Sequence, residues 1–125
     1  ATDANATDVG DLIIELTNQP TGQSSSENGY MSGGEGPPAV GGVVNIIQKF
    51  PFASDGNASD IGDLTLSNQN ASGQSSTVSG YTSGGRDASE VQNNIIQKFP
   101  FASDANATDV GDLTETAAEV SGNQV

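Results

Sequence analysis

The run IIQKFPFASDANATDVGDL at residues 95–113 returns almost unchanged as IIQKFPFASDGNASDIGDL at residues 46–64. Its second half, DANATDVGDL, also occupies residues 3–12. Residues 12–34 and 64–85 form another related pair, and both end in the run Gly-Tyr-x-Ser-Gly-Gly. Because the same words return in the same order, the sequence predicts an array of structural repeats.

The spacing of these words sets the length of one repeat. Tyr30 and Tyr81 lie 51 residues apart, and the Phe-Pro-Phe runs that begin at Phe50 and Phe99 lie 49 apart. The period is therefore about 50 residues. We divide the chain into a partial repeat at residues 1–12, repeats at 12–63 and 64–113, and a polar C-terminal tail at 115–125. The chain begins without Met, which indicates a processed product, a fragment or part of a longer protein.

Each repeat is expected to hold four short strands, because clusters of Gly, Asn, Asp and Ser separate its extended segments. In the second repeat the predicted strands are residues 66–70, a region at 74–82, residues 94–101 and residues 109–114. Pro51 and Pro100 fall in the third strand, where proline removes a ladder donor, so we expect an edge, a bulge or an interruption. Helix is predicted only as one turn at residues 117–120. The predicted fold class is all-β.

Four strands in about 50 residues are typical of a β-propeller blade of the kelch type. Gly-Tyr-x-Ser-Gly-Gly resembles the kelch strand that ends in two glycines, Asn-Ile-Ile-Gln-Lys-Phe-Pro-Phe resembles the next strand, and Asp-Val-Gly-Asp-Leu-Thr the outer one. Residues 1–114 are similar to the kelch-type repeats of structural and tail-fibre proteins of marine bacteriophages. The tryptophan usual near the outer strand of a kelch repeat is missing, and Leu12, Leu64 and Leu113 stand closest to its place.

The resemblance implies about two and a fraction four-stranded blades. Propellers close with about 4–8 blades, so this chain cannot close a ring by itself. We therefore expect an incomplete propeller, an assembly of several copies, or an open β-repeat array whose ends need caps.

Charge and composition exclude several functions. Sixteen acidic residues stand against three basic ones, Lys49, Arg86 and Lys98, for a net charge of −13. Such a surface repels phosphate backbones, so nucleic acid is not an expected partner. The chain has no His and no Cys, which removes the usual general base, the usual zinc ligands and thiol nucleophiles. No apolar run approaches the ~20 residues of a membrane helix, so no membrane partner is expected.

The pattern Asp-x-Asn-x-Ser/Thr-Asp-x-x-Asp occurs three times. Alternating oxygen ligands suit Ca²⁺, which takes about 6–8 oxygens, and no other cofactor is suggested. The favoured alternative is an Asx turn, because the glycine and the distal Glu of a calcium loop are missing. The candidate calcium ligands are Asp3, Asn5, Asp8, Asp11, Asp55, Asn57, Asp60, Asp63, Asp104, Asn106, Asp109 and Asp112.

Four asparagines begin an Asn-x-Ser/Thr sequon: Asn5, Asn57, Asn70 and Asn106. They are candidate glycosylation sites on exposed turns of a secreted protein. Chance is the favoured explanation, because Asn, Ser and Thr are abundant throughout the chain.

The tyrosines and the double glycines have structural and functional interpretations. Tyr30 and Tyr81 are candidates for stacking on sugars, but their equivalent repeat positions favour a place in the core. The Gly-Gly pairs at residues 33–34 and 84–85 lack the Lys-Ser/Thr of a phosphate-binding loop. They predict a bend or a close backbone approach.

No catalysis is expected. Ser24, Ser25, Ser75 and Ser76 have no His, Cys or suitably spaced Lys to activate them, and a glycosidase would need a carboxylate pair outside the repeated turns. We expect a non-catalytic structural or interaction protein of a virion surface or tail fibre, used as scaffold or receptor-binding surface. The alternative is a secreted calcium- and carbohydrate-binding module or a glycosylated extracellular filament subunit.

The expected partners follow from this interpretation. They are copies of the chain itself, or other virion or filament proteins, bound through open β-edges. Cell-surface glycans are a further expected ligand. The expected location is the virion surface or the outside of a cell.

Overall fold

A computed structural model describes residues 4–119 and 121–122. These residues form eight β-strands and one 3₁₀ turn, Pro38–Val40. The strands build two four-stranded antiparallel sheets, which confirms the all-β prediction. Among the described residues, no helix is long and apolar enough to cross a membrane.

Each sheet follows the order of the chain from one edge to the other. The first sheet consists of β1 (Thr21–Ser24), β2 (Asn28–Ser32), β3 (Ile46–Pro51) and β4 (Ser59–Asp63). The second consists of β5 (Ser72–Ser75), β6 (Ser79–Ser83), β7 (Ile95–Pro100) and β8 (Thr108–Asp112). The two sheets have matching registers, since Tyr30 pairs with Lys49 as Tyr81 pairs with Lys98.

The first strand of each period lies later than the sequence predicts. Residues 66–70 form no strand, and the region at 74–82 is the β5–β6 hairpin. The Asn68 N–H donates to Val44 O (3.2 Å) and the Gln69 N–H to Arg86 O (2.9 Å), so this segment leads from one sheet to the other. Asn70 then has φ 56°, a left-handed conformation that interrupts an extended strand.

Serine side chains form the turn of each first hairpin. The Oγ of Ser25 accepts the N–H groups of Glu27 (3.2 Å) and Asn28 (3.0 Å). Ser76 Oγ accepts those of Val78 (3.3 Å) and Ser79 (3.1 Å). A hydroxyl that satisfies turn N–H groups in this way stabilises a tight turn, which explains the Ser-rich run between the two strands.

The prolines do not interrupt the third strands. Pro51 and Pro100 are the last residues of β3 and β7 and pair with Asn28 and Ser79. The register instead shifts earlier, between Ile47 and Gln48 and between the equivalent residues of β7. The predicted interruption at proline is wrong. The ladder with β4 ends earlier, at Lys49 and Ser59, and the Phe52 N–H beyond the proline still donates to Glu27 O (2.9 Å).

The double glycines follow β2 and β6 in left-handed conformations. Gly33 and Gly34 have φ 61° and 101°, and Gly84 and Gly85 have φ 63° and 104°. A Cβ on Gly33 would lie 2.4 Å from Asn68 O, and one on Gly84 would lie 2.4 Å from Ala117 O. The predicted close backbone approach is confirmed.

The repeat pattern continues into the residues that the sequence assigned to a tail. Leu113 N–H donates to Asn94 O (2.7 Å), Ala117 N–H to Asn93 O (3.2 Å) and Gly85 N–H to Ala117 O (2.7 Å). The same bonds join Leu64 to Asn45, Asn68 to Val44 and Gly34 to Asn68. The helical turn predicted at residues 117–120 is absent from 117–119, where Glu119 has φ 61°, and Val120 lies outside the described residues.

The first prediction concerns Gly33. Gly33→Ala should lower the free energy of unfolding by at least about 1–2 kcal/mol, because alanine is strained at this φ and its methyl group meets a backbone carbonyl. The measurement is the denaturation midpoint. Gly56→Ala is the matched control, since a Cβ there meets nothing within 4 Å and the second repeat has Ala105 at this place. Equal losses in both variants would contradict the close approach.

Candidate functional site

The most developed site in the described residues is the contact between the two repeats. The ring of Tyr30, on β2, stacks on Phe101 with centroids 4.7 Å apart and an interplanar angle of 18°. It also meets Phe99 at 5.6 Å and 57°. Tyr30 is only 1% exposed, whereas its counterpart Tyr81 is half-buried on the far side of the second sheet. The prediction of a core position is therefore confirmed for Tyr30.

Aliphatic side chains complete this contact. Leu64 lies in the segment that joins the two sheets, and Ala107 lies in the turn before β8. The buried cluster consists of Tyr30, Ile47, Ile61, Leu64, Phe99 and Ala107, and the partly buried Phe101 packs against it. At about 1.5–3 kcal/mol for each large side chain, such a cluster is the main apolar stabilisation available to a chain with few aromatic residues.

A buried glutamine on each third strand holds the neighbouring repeat in register. Gln97, on β7, is 0% exposed, and its Oε1 accepts both the N–H (2.6 Å) and the hydroxyl (2.7 Å) of Thr65. Gln48, on β3, accepts the N–H groups of Ile13 (2.7 Å) and Ile14 (3.3 Å) in the same way. The amide oxygen thereby accepts backbone N–H groups that do not pair with any β-strand of the described residues.

A polar network joins the hairpins of the two sheets. The Nε2 of Gln23 lies within hydrogen-bond distance of Ser32 Oγ (2.9 Å), Thr82 Oγ1 (3.0 Å) and Tyr81 O (3.1 Å). The hydroxyls of Ser32 and Thr82 are 3.1 Å apart. These side chains are buried, so the network fixes the position of one sheet on the other.

Small residues let the inner strands approach closely. The Ser24 N–H donates to Ser75 Oγ (3.0 Å), across the gap between β1 and β5. A Cβ on Gly73 would lie 2.3 Å from Gly22 O, so only glycine fits there without movement. Of the serines considered as nucleophiles, Ser24 and Ser75 thus lie in strands, and Ser25 and Ser76 lie in hairpin turns.

The aspartates of the repeated turns make local hydrogen bonds. Asp8, Asp60 and Asp109 each use Oδ1 to accept the N–H of the glycine two residues later, at 3.1, 3.0 and 3.0 Å. These contacts are of the Asx type, but Asp60 and Asp109 lie within β4 and β8 rather than in the turn that connects the strands. Asp104 forms an ion pair with Lys49, across the two repeats.

The asparagines of the same turns make a contact that the sequence analysis missed. Asn106 Oδ1 accepts the N–H of Asp63 (3.1 Å), and Asn57 Oδ1 accepts that of Asp11 (3.0 Å). Each asparagine therefore connects its turn to the outer strand or segment of the preceding repeat. The signal was present, because asparagine stays in place in all three turns while the residue before it changes from Ala to Gly.

The sequence predicts one calcium site in each of the three Asp/Asn turns. No group of three or more acidic side chains close enough to hold a metal ion occurs within the described part of the chain. Asp3 lies outside that part. Calcium binding stays a prediction of the sequence.

The sequons occupy two kinds of environment. Asn5, Asn57 and Asn106 are exposed, whereas Asn70 is only 8% exposed. A glycan on Asn70 would require the loop between the sheets to move. Glycosylation at these positions stays a prediction.

Arg86 is a further link that no sequence motif marked. Its Nη1 donates to Glu90 Oε2 (2.9 Å) and its Nη2 to Glu119 Oε1 (2.6 Å). The hydrogen bond to Glu90, with Glu119 adding to it, raises the pKa of the Arg86 guanidinium above its usual value. This cation therefore joins the second sheet to residues beyond β8.

No protein-family model matches the sequence, and a search of curated proteins finds no match either. The resemblance to kelch-type repeats therefore stays a prediction.

The second prediction tests the asparagine link. Asn106→Ala should lower the free energy of unfolding by about 0.5–1 kcal/mol, because the Asp63 N–H loses its acceptor at the junction of the repeats. Asn5→Ala is the matched control, since Asn5 holds the same place in the exposed N-terminal copy of the turn. Urea denaturation of both variants measures the difference, and an equal effect at the two positions would refute the linking role.

Proposed function

We propose that this chain is a non-catalytic structural repeat module that builds a surface assembly of the virion or tail-fibre type. The observation that carries the proposal is the packing of Tyr30 of one repeat against both Phe99 and Phe101 of the next. Half of the chain's six aromatic residues thus join repeat to repeat. A protein built in this way extends or closes by adding repeats, which is the physical logic of a scaffold.

The polar contacts support the same function. The buried glutamines and the turn asparagines bond to backbone N–H groups of the adjacent repeat. Backbone donors are present in every repeat, so these contacts need no special partner sequence beyond the repeat itself. They suit a protein that must hold many similar units in one register.

We further propose that each four-stranded sheet is one kelch-like blade. Three features support this: the sequential strand order, the double glycine that directly follows the second strand, and the close approach of β1 to β5. The blades of a propeller likewise pack with their first strands nearest one another around an axis.

The surface charge supports a role outside catalysis and away from nucleic acid. Thirteen net negative charges on 125 residues keep copies soluble and apart at low ionic strength, and a saline medium screens their repulsion. The resemblance to phage tail-fibre repeats supports the virion as the setting. The module then acts as scaffold or as a surface that contacts a receptor.

The third prediction tests this setting. Antibodies raised against the purified chain should label the outside of virus particles or fibres by immunogold electron microscopy of the source material. Pre-absorption of the antibody with the chain is the control and should remove the label. Label confined to the interior of cells, with unlabelled particles, would contradict the proposed function.

A further inference from the structure

The contact between the two sheets supplies a template for a contact between two chains. Side chains alternate between the faces of a strand, so Tyr30 and its ladder partner Lys49 share one face of the first sheet, and Phe50 lies on the other. The face with Tyr30 packs on the second sheet's Phe99. This contact has a tyrosine half, on the first sheet, and a phenylalanine half, on the second. A surface with the residues of the tyrosine half is therefore complementary to a surface with those of the phenylalanine half.

The outer face of the second sheet repeats the tyrosine half. By repeat position it carries the counterparts of Tyr30, Ile47, Ile61 and Leu64, namely Tyr81, Ile96, Val110 and Leu113. Three of these counterparts are half-buried, and Val110 is 47% exposed. No further sheet of described residues lies over this face.

The outer face of the first sheet repeats the phenylalanine half. The rings of Phe50 and Phe52 lie 6.0 Å apart at 74°, as those of Phe99 and Phe101 lie 5.9 Å apart at 74°. Phe52 is 56% exposed, so the ring that would stack on a tyrosine faces solvent. The aromatic geometry that receives Tyr30 inside the chain is thus already formed here.

A cavity of about 300 Å³ lies beside Phe50. Its lining includes Phe50 and Ala58 of the first repeat and Val9 and Leu12 of the N-terminal segment. By repeat position these match four of the six residues of the buried cluster between the sheets. The two cluster residues without a counterpart in the cavity lining are Tyr30 and Ile47.

The N-terminal segment, residues 4–12, lies on this face as an outer strand does, but without a sheet of its own. The N–H groups of Gly56 and Ala58 donate to its Val9 and Asp11 carbonyls, both at 2.8 Å. The described part of the segment belongs to neither four-stranded sheet. It therefore bonds to the turn of the first repeat, as an outer strand does, but it has no neighbouring strand among the described residues on its other side.

Residues 3–12 and 104–113 have the same sequence, DANATDVGDL. We propose that a second copy of the chain docks head to tail on the first sheet, and that its residues 104–113 replace the receiving copy's N-terminal segment. The docked copy's Tyr81 and Ile96 then enter the cavity beside Phe50. This inference rests on the proposed function, because it assigns the partner and the contact surface of the proposed assembly.

The exchange favours the incoming copy. Its residues 108–112 offer the same backbone groups as the resident segment and arrive already paired with β7. The incoming copy also brings Tyr81 and Ile96, for which the resident segment has no equivalent. Burying apolar surface is the dominant favourable term in association.

Charge complementarity points to the same geometry. Lys49 pairs with Asp104 across the two repeats, and the equivalent residues are Lys98 on one outer face and Asp55 beside the other. Within the described residues neither Lys98 nor Asp55 has an ion-pair partner. Head-to-tail docking brings them together. The net charge of −13 opposes docking at low salt, so association should strengthen as salt is raised.

The two contacting faces differ, so the contact is heterologous. After one contact forms, each pair of copies still presents one free face of each kind. Such an interface produces a ring where the rotation closes and an open filament where it does not.

The first test, which is the fourth prediction, is sedimentation velocity of the full chain over a wide concentration range at 0.15 and 0.5 M NaCl, the lower being about physiological ionic strength. Dimers and larger species should grow with concentration and with salt. Tyr81→Ser should weaken association at least about tenfold, as loss of a central aromatic does. Val91→Ser, an exposed loop valine, is the control and should leave association unchanged. A chain that stays monomeric under all conditions would overturn the proposal.

Mixing variants tests the direction of docking. Tyr81→Ser blocks only the tyrosine face, and Phe52→Asp blocks only the phenylalanine face. Each variant alone should stay monomeric, whereas a mixture should form a one-to-one dimer and nothing larger, because one intact contact remains. Circular dichroism checks that both variants fold. A mixture that stays monomeric, or single variants that associate like the parent chain, would overturn head-to-tail docking.

A matched pair of substitutions tests the strand replacement. Val110→Asp should weaken association, because Val110 enters the contact with the incoming copy. Val9→Asp changes the equivalent, similarly exposed residue of the N-terminal copy of the motif. It should leave association unchanged or strengthen it, because the N-terminal segment is displaced when the second copy docks. Equal weakening by both would overturn the replacement. Immunogold labelling does not depend on association of the purified chain, so a labelled virion with a monomeric chain would refute the docking and leave the proposed function standing.

Discussion

The burial of Tyr30 by the next repeat is the interaction on which the rest of the structure depends. A four-stranded sheet with one tyrosine and two phenylalanines on its two faces cannot bury either face by itself. Stacking on Phe101 and packing on Phe99 remove Tyr30 from solvent, and the aliphatic residues around it become buried with it. Each repeat thus supplies part of the hydrophobic core that its neighbour needs, and this explains why the sequence repeats.

Apolar packing alone would let one sheet slide on the other, and the polar contacts prevent this. Gln97 is fully buried with its oxygen on Thr65, and the Gln23 network ties the two hairpins together. A buried N–H or hydroxyl left without a partner costs about 1–3 kcal/mol, so a shifted register would be penalised at several places at once. Asn57 and Asn106 add a weaker, exposed constraint at the outer edge of each turn's neighbouring repeat. Specificity between repeats therefore comes mainly from amide and hydroxyl side chains, to which the Lys49–Asp104 ion pair is added.

Local sequence signals predicted the features that local chemistry decides. The all-β class, four strands per period and the close approach at the double glycines follow from turn residues and from the repetition of words. The strand predicted at residues 66–70 failed because its backbone bonds go to residues of two different repeats that lie outside the strands, Val44 in the first and Arg86 in the second. The asparagine link was missed for the same reason: its donor, the N–H of Asp63, lies 43 residues away. The recurrence of asparagine in all three turns marks the residue but does not identify its distant partner, so the sequence predicted the turns and not the contacts that they make.

Tyr30 and the phenylalanines of the following repeat stabilise each other across the sheets. A double-mutant cycle on Tyr30→Leu and Phe101→Leu measures this coupling directly, by denaturation of the parent chain, both single variants and the double variant. We expect a coupling free energy of about 0.5–1.5 kcal/mol, as for stacked aromatic pairs. Additive effects, with a coupling below about 0.3 kcal/mol, would contradict it.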